Sequence, residues 1–259
     1  NQTVSSQFLW SEWSNVVDAW QLKTWEEYRD VRRLGRKTRL PEKRRADLWS
    51  IFENVRAELE NQGLVTLPTI YERVTERLGA SKQPPYEFAV IDEVQDVGVP
   101  QLRFLAALGG GRPNSLFFAG DLGQRIFQQP FSWKGLGVDI RGRSRTLRIN
   151  YRTSHQIRAQ ADRLLGPELS DVDGIKEQRR GTVSVFNGPP PTIEVADTAD
   201  EEEKLVSKWI QARLDEGRQP HEIGVCVRSE AQLPRARAAV ELAGAQFVTL
   251  GDTVETKRV

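Results

Sequence analysis

Along the first eighty residues, apolar positions recur at intervals of three and four, which predicts helices. The stretch "SSQFLWSEWSNVVDAW" places Phe8, Trp10, Trp13, Val17 and Trp20 at helix-compatible spacings, and the tryptophans are expected in the core. "EKRRADLWSIFENVRAELENQG" repeats Leu48, Ile51, Phe52, Val55 and Leu59, with Gly63 as a stop. "TLPTIYERVTERLG" reads as a third helix that Gly79 can end.

From Pro84 the pattern changes to short apolar runs. "YEFAVID" reads as a strand, "VPQLRFLAALGG" as a helix closed by glycines, and "NSLFFAGD" as a second strand. "SRTLRINYRT" reads as a third strand and "SHQIRAQADRLLG" as the helix after it. This alternation predicts an α/β fold whose parallel sheet is covered on both faces and carries its ligand at the carboxyl ends of the strands. Asp92 and Asp121 stand at two such ends. The stretch "GTVSVFNGPPPT" suits a domain boundary. Beyond it the chain parses as strand, helix, strand, helix, strand. Thr198 with Glu201 resembles a capping box at the start of the acidic helix, and Cys226 in "IGVCVR" is expected in the core.

Composition narrows the classes. The 259 residues are 38% hydrophobic and 28% charged, as in a globular protein, and no apolar run nears the roughly 18 residues of a membrane span. The N-terminus lacks the basic and apolar regions of a signal peptide, and a single cysteine excludes an internal disulfide, so the cytoplasm is expected. The first residue is Asn and Met is absent, which suggests a piece of a longer protein. Net charge is +1, but nine Lys/Arg against two acids lie between Arg29 and Arg45, and four arginines lie between Arg141 and Arg148. Such runs are either solvated faces or a path for a polyanion.

The candidate chemistry sits after the strands. An apolar strand ending in Asp92 and Glu93 has the form of a Walker B element, in which the Asp holds Mg²⁺ through water and the neighbouring carboxylate polarises the attacking water. Gln124 follows the second strand and can touch a γ-phosphate. Tyr151 and Arg152 follow the third: an aromatic face can stack on a base, and a guanidinium can stabilise a transferring phosphoryl group.

In order and spacing, "VIDEVQD", "FFAGDLGQRIF…FSWKG" and "LRINYRTSHQI" resemble consecutive motifs of the UvrD/Rep-type superfamily 1 DNA helicases. The resemblance is strong over residues 84–165 and looser to about 250, and "EEYRDVRRLGRKTRL" is similar to the family's helical insertion. It implies a partial RecA-like P-loop NTPase sheet, with a helical insertion subdomain over 1–83, part of the first RecA-like domain over 84–180, and the start of the second over 181–259. It implies ATP and Mg²⁺ as cofactors, with Asp92 on the metal and Glu93 activating water. Gln95 and Asp96 would help couple nucleotide to DNA, and Gln124 and Arg152 would meet the γ-phosphate. Tyr151 would stack on adenine. Trp133 would stack on single-stranded bases, with Phe127 a second candidate, and Lys134 stands where the family usually has Arg.

No G-x-x-x-x-G-K-[ST] loop occurs in the chain. The resemblance places that Walker A loop upstream of residue 1 and the later motifs beyond Val259, so the chain is expected to be a central fragment, inactive alone. Its expected partners are single-stranded DNA, or a single/double-strand junction, and the helicase segments that carry the Walker A loop; no membrane partner is expected. The alternative is a non-catalytic DNA-binding or scaffold module of a helicase–nuclease or defence complex.

Overall fold

The computed structural model describes residues 4–250, apart from 35, 37–38, 82, 126–129, 165–167, 175 and 179–180. The chain divides into two compact units, Asn1–Pro190 and Pro191–Val259, within the proline run that suggested a boundary.

The first unit opens with helices. Helix α1 (Ser6–Glu12) is capped by Ser5 and runs on as a π-helical segment to Asp18. Helix α2 (Trp25–Asp30) starts on a capping box in which the Thr24 hydroxyl accepts from Glu27 N–H while the Glu27 carboxylate accepts from Thr24 N–H. Helix α3 (Glu42–Asn61) ends just before Gly63, and α4 (Leu67–Ala80) starts on the Thr66 cap. Gly79 does not stop α4: the helix runs through it to Ala80, and Gly79 lacks the positive φ of a left-handed cap. Trp13, Val17, Tyr28, Leu48, Trp49 and Phe52 close into one core. Trp10 departs from the expectation of a core tryptophan. It lies 72% exposed, because the face of α1 that packs inward carries Phe8, Leu9 and the buried Glu12 instead.

Strand β1 (Ala89–Ile91), helix α5 (Val99–Gly109) and strand β2 (Leu116–Phe118) form a βαβ unit with β1 and β2 parallel, in register Ala89↔Leu116, Val90↔Phe117 and Ile91↔Phe118. Helix α5 ends at Gly110, whose φ of +55° supplies the left-handed turn. Leu116 and Phe118 pack on a cluster of Val99, Leu102, Phe131, Trp133 and Val138. The opposite face differs from the expected two-sided cover, since Val90 and Phe117 are 76% and 64% exposed. Strand β3 (Ile149–Asn150) leads into α6 (His155–Ala161). Strands β4 (Glu168–Ser170) and β5 (Lys176–Gln178) form an antiparallel pair, and β6 (Val183–Ser184) lies parallel to β3. Residues 181–190 therefore stay with the first unit through β6.

In the second unit, α7 (Ala199–Asp215) packs on α8 (Leu233–Leu242) around Ile210, Val240 and Ala243. The Thr198 hydroxyl caps Glu201 N–H as expected, but the Glu201 carboxylate reaches back to Asp197 N–H, one residue earlier than a capping box requires. The three strands expected around these helices are not formed among the described residues. A strand is held by a ladder to a neighbour, and Ile193, Val195 and Val248 lie 67%, 89% and 80% exposed without one. Cys226, expected in the core, is exposed for the same reason. Among the described residues no helix is long and apolar enough to cross a membrane.

Candidate active site

The carboxyl ends of β1 and β2 are adjacent because the strands are parallel, and this brings the sequence candidates together. Ala119 N–H donates to the Ile91 carbonyl at 2.8 Å and Val94 N–H to the Ala119 carbonyl at 2.9 Å, so the ladder continues past both strands. Between those bonds the chain turns at Asp92 and Glu93, both exposed. Asp92 Oδ1 accepts from Glu93 N–H at 2.9 Å. Glu93 has φ +50° and ψ +43°, a left-handed conformation uncommon for a residue with a side chain, and a 3₁₀ turn over Val94–Asp96 follows.

Gln95 holds this turn. Its side chain is 5% exposed; Nε2 donates to Glu93 Oε2 at 2.6 Å, and Oε1 accepts from Asp121 N–H at 3.1 Å. Gly120 makes the fit possible, because a Cβ there would lie 2.5 Å from Gln95 Oε1 and 2.9 Å from Val94 N. Asp121 then organises the next turn: Oδ1 accepts from Gly123 N–H at 2.8 Å and Oδ2 from Gln124 Nε2 at 3.0 Å. Glu93, Gln95, Asp121 and Gln124 thus form one continuous hydrogen-bonded chain across two strand ends. The sequence signalled Gln95 as part of a motif but not its role as the clamp; the glycine directly before Asp121 was the one available sign of a close approach.

Tyr151 and Arg152 belong to the β3–β6 pair, which is not hydrogen-bonded to the β1–β2 pair. Asn150 Oδ1 accepts from Arg152 N–H at 2.9 Å and Thr153 N–H at 3.2 Å, folding a turn that leaves Tyr151 72% exposed and Arg152 exposed. Ser154, buried, caps α6, so His155 is its first residue. Gln156 Oε1 accepts from Gly188 N–H at 2.8 Å, tying the helix to the segment after β6.

Trp133 requires a correction. It was expected as a surface for stacking bases, yet it is 3% exposed. Phe118 meets it edge-on, with ring centroids 5.3 Å apart at 75°, and Phe131, itself 1% exposed, lies 5.9 Å away. Both aromatics of "FSW" are therefore core, and the buried Trp133 Nε1 finds no hydrogen-bond partner among the described residues. A long-range tie brackets this buried ring: Asp173 accepts from Ser132 Oγ and, at 3.1 Å, from Lys134 N–H, the residues on either side of Trp133. Lys134 itself is exposed. Phe127 lies outside the described residues.

The basic run also divides. Arg33 and Arg36 bind Glu12, which is fully buried: Arg33 Nε and Nη2 donate at 2.7 and 2.6 Å, and Arg36 Nη2 at 2.8 Å. Arg45 donates to the carbonyls of Tyr28 and Arg29. Those three arginines bind groups within the fold, while Arg32, Arg39 and Lys43 are exposed.

Compared with known proteins, the chain matches no family model and no curated protein significantly.

Proposed function

We propose that the chain is the central part of an ATP-driven DNA translocase and helicase of the UvrD/Rep type, with a partial RecA-like sheet. The observation that carries this reading is the hydrogen-bonded run from Glu93 through Gln95 and Asp121 to Gln124 at the carboxyl ends of two adjacent parallel strands, where α/β sheets carry their ligands. Among the described residues no three metal-binding side chains converge. A lone carboxylate at an exposed strand end nonetheless suits Mg²⁺, which keeps several waters and takes its remaining ligands from substrate phosphates. Asp92 is that carboxylate, and the ion would neutralise charge on the phosphates of ATP. Glu93 orients and deprotonates the attacking water, Gln124 meets the γ-phosphate, Arg152 stabilises its charge, and Tyr151 stacks on adenine. The phosphate loop comes from a segment other than this chain. Lys134 and the exposed cations of the 29–45 run line a path for single-stranded DNA, supplying phosphate contacts without sequence preference.

The test is DNA-stimulated ATP hydrolysis by the intact protein that joins this chain to its phosphate loop. Glu93→Gln lowers turnover by about a hundred- to ten-thousand-fold through lost general-base assistance, and Arg152→Ala lowers it through lost charge stabilisation. Wild-type rates in both variants would instead favour a non-catalytic DNA-binding or scaffold module.

A further inference from the structure

We infer that Gln95 is a positioning residue that links Glu93 to the turn at Asp121–Gln124, so that a displacement of Gln124 redirects the Glu93 carboxylate. The geometry leaves the amide no other orientation. Its oxygen faces the Asp121 N–H and its NH₂ faces Glu93 Oε2, so reversing it would set two donors against each other on one side and two acceptors on the other. Burial removes water as a substitute partner, and Gly120 backs the amide so closely that not even a methyl group fits. Glu93 stands in a left-handed backbone conformation and its carboxylate is drawn towards Gln95, two residues along the chain. Asp121 receives the other side of the same amide by its backbone and holds Gln124 Nε2 by its side chain. A pull on Gln124 is therefore transmitted through three consecutive hydrogen bonds to Glu93, and a group that binds at Gln124 changes where that carboxylate points.

The link itself is independent of the hydrolase reading; only its catalytic consequence rests on it, and the test separates the two. In the chain as it stands, Gln95→Met keeps the shape of the buried side chain and removes both hydrogen bonds. Amide hydrogen exchange resolved at Asp121 should then accelerate about five- to tenfold, the loss expected for one buried hydrogen bond. Glu93→Ala frees one end of the Gln95 amide and should accelerate the same proton by a smaller factor; because Glu93 is exposed, this variant carries the measurement if Gln95→Met does not fold. In the intact protein, Gln95→Met should lower kcat about tenfold, a fraction of the full general-base contribution, while KM for ATP stays unchanged, a split that mere destabilisation would not give. Unchanged exchange at Asp121 in either folded variant overturns the link. Accelerated exchange with unchanged kcat overturns its role in positioning Glu93. If Glu93→Gln itself keeps full turnover, the hydrolase reading fails, and exchange at Asp121 still decides the link.

Discussion

Two polar networks in the first unit look alike in composition and differ in surroundings. The carboxylate of Glu12 lies inside the helical core, enclosed by Arg33, Arg36 and the Tyr28 hydroxyl, which donates to it at 3.1 Å. The carboxylates of Asp92 and Glu93 lie at the strand ends, exposed; the buried Gln95 tethers that of Glu93, and Asp92 accepts from the Glu93 N–H. The first network turns its charges on each other, and its ligands are all internal. The second directs its acceptors outward and keeps only its scaffold inside. A carboxylate with its partners already in the fold serves stability; one held in place with an open side can serve a ligand.

The largest expected effects break the first network. Glu12→Ala strands two guanidinium groups in a buried site and should cost about 3–5 kcal/mol of stability, measured by urea unfolding of the first unit. Its pH dependence has a definite sign. Burial raises the Glu12 pKa, but the hydrogen bonds and charges of Arg33 and Arg36 outweigh it and hold the group below its ordinary value of 4.5. A group depressed on folding stabilises above its unfolded pKa, so this contribution is complete at neutral pH. It is lost as pH falls below 4.5 through the folded value. An acid titration of stability should show this loss in the wild type, and Glu12→Gln should remove that component.

Trp133→Ala should come next, at about 3–5 kcal/mol for an aromatic removed from a packed core, with little change in affinity for an oligonucleotide. The reverse pattern, unaltered melting with weaker DNA binding, would return Trp133 to the surface. Smaller still is Gly120→Ala, which overpacks the Gln95 clamp at a cost of about 1–3 kcal/mol. It sharpens the comparison because its damage should concentrate at the strand ends and leave the helical core's exchange protection intact.

Much of this was legible in the sequence, for a physical reason. Helical periodicity and the capping residue Thr198 act within a few residues of themselves, so α3, α4 and α7 could be read directly. The run from Asp92 to Gln124 could be read because strand ends carry their own polar signature. Burial decided by distant partners could not. Trp133 sits among Ser, Lys and Gly in sequence, and nothing local reveals that Phe118 of β2 packs on it or that Asp173 ties the residues on either side. Arg33 and Arg36 read as surface cations because their partner, Glu12, lies more than twenty residues away, at the end of α1. Apolar alternation at 192–196 reads as a strand, yet the described residues offer it no neighbour.

On the proposed function, chemistry and stability reside in different networks, and Glu93→Gln in the intact protein tests that most directly. ATP turnover, nucleotide affinity and melting temperature should be measured on one preparation. The expected result is turnover lowered about a hundred- to ten-thousand-fold, with nucleotide affinity and melting temperature unchanged. Undiminished turnover, or a fall in melting temperature as large as that of Glu12→Ala, would contradict it.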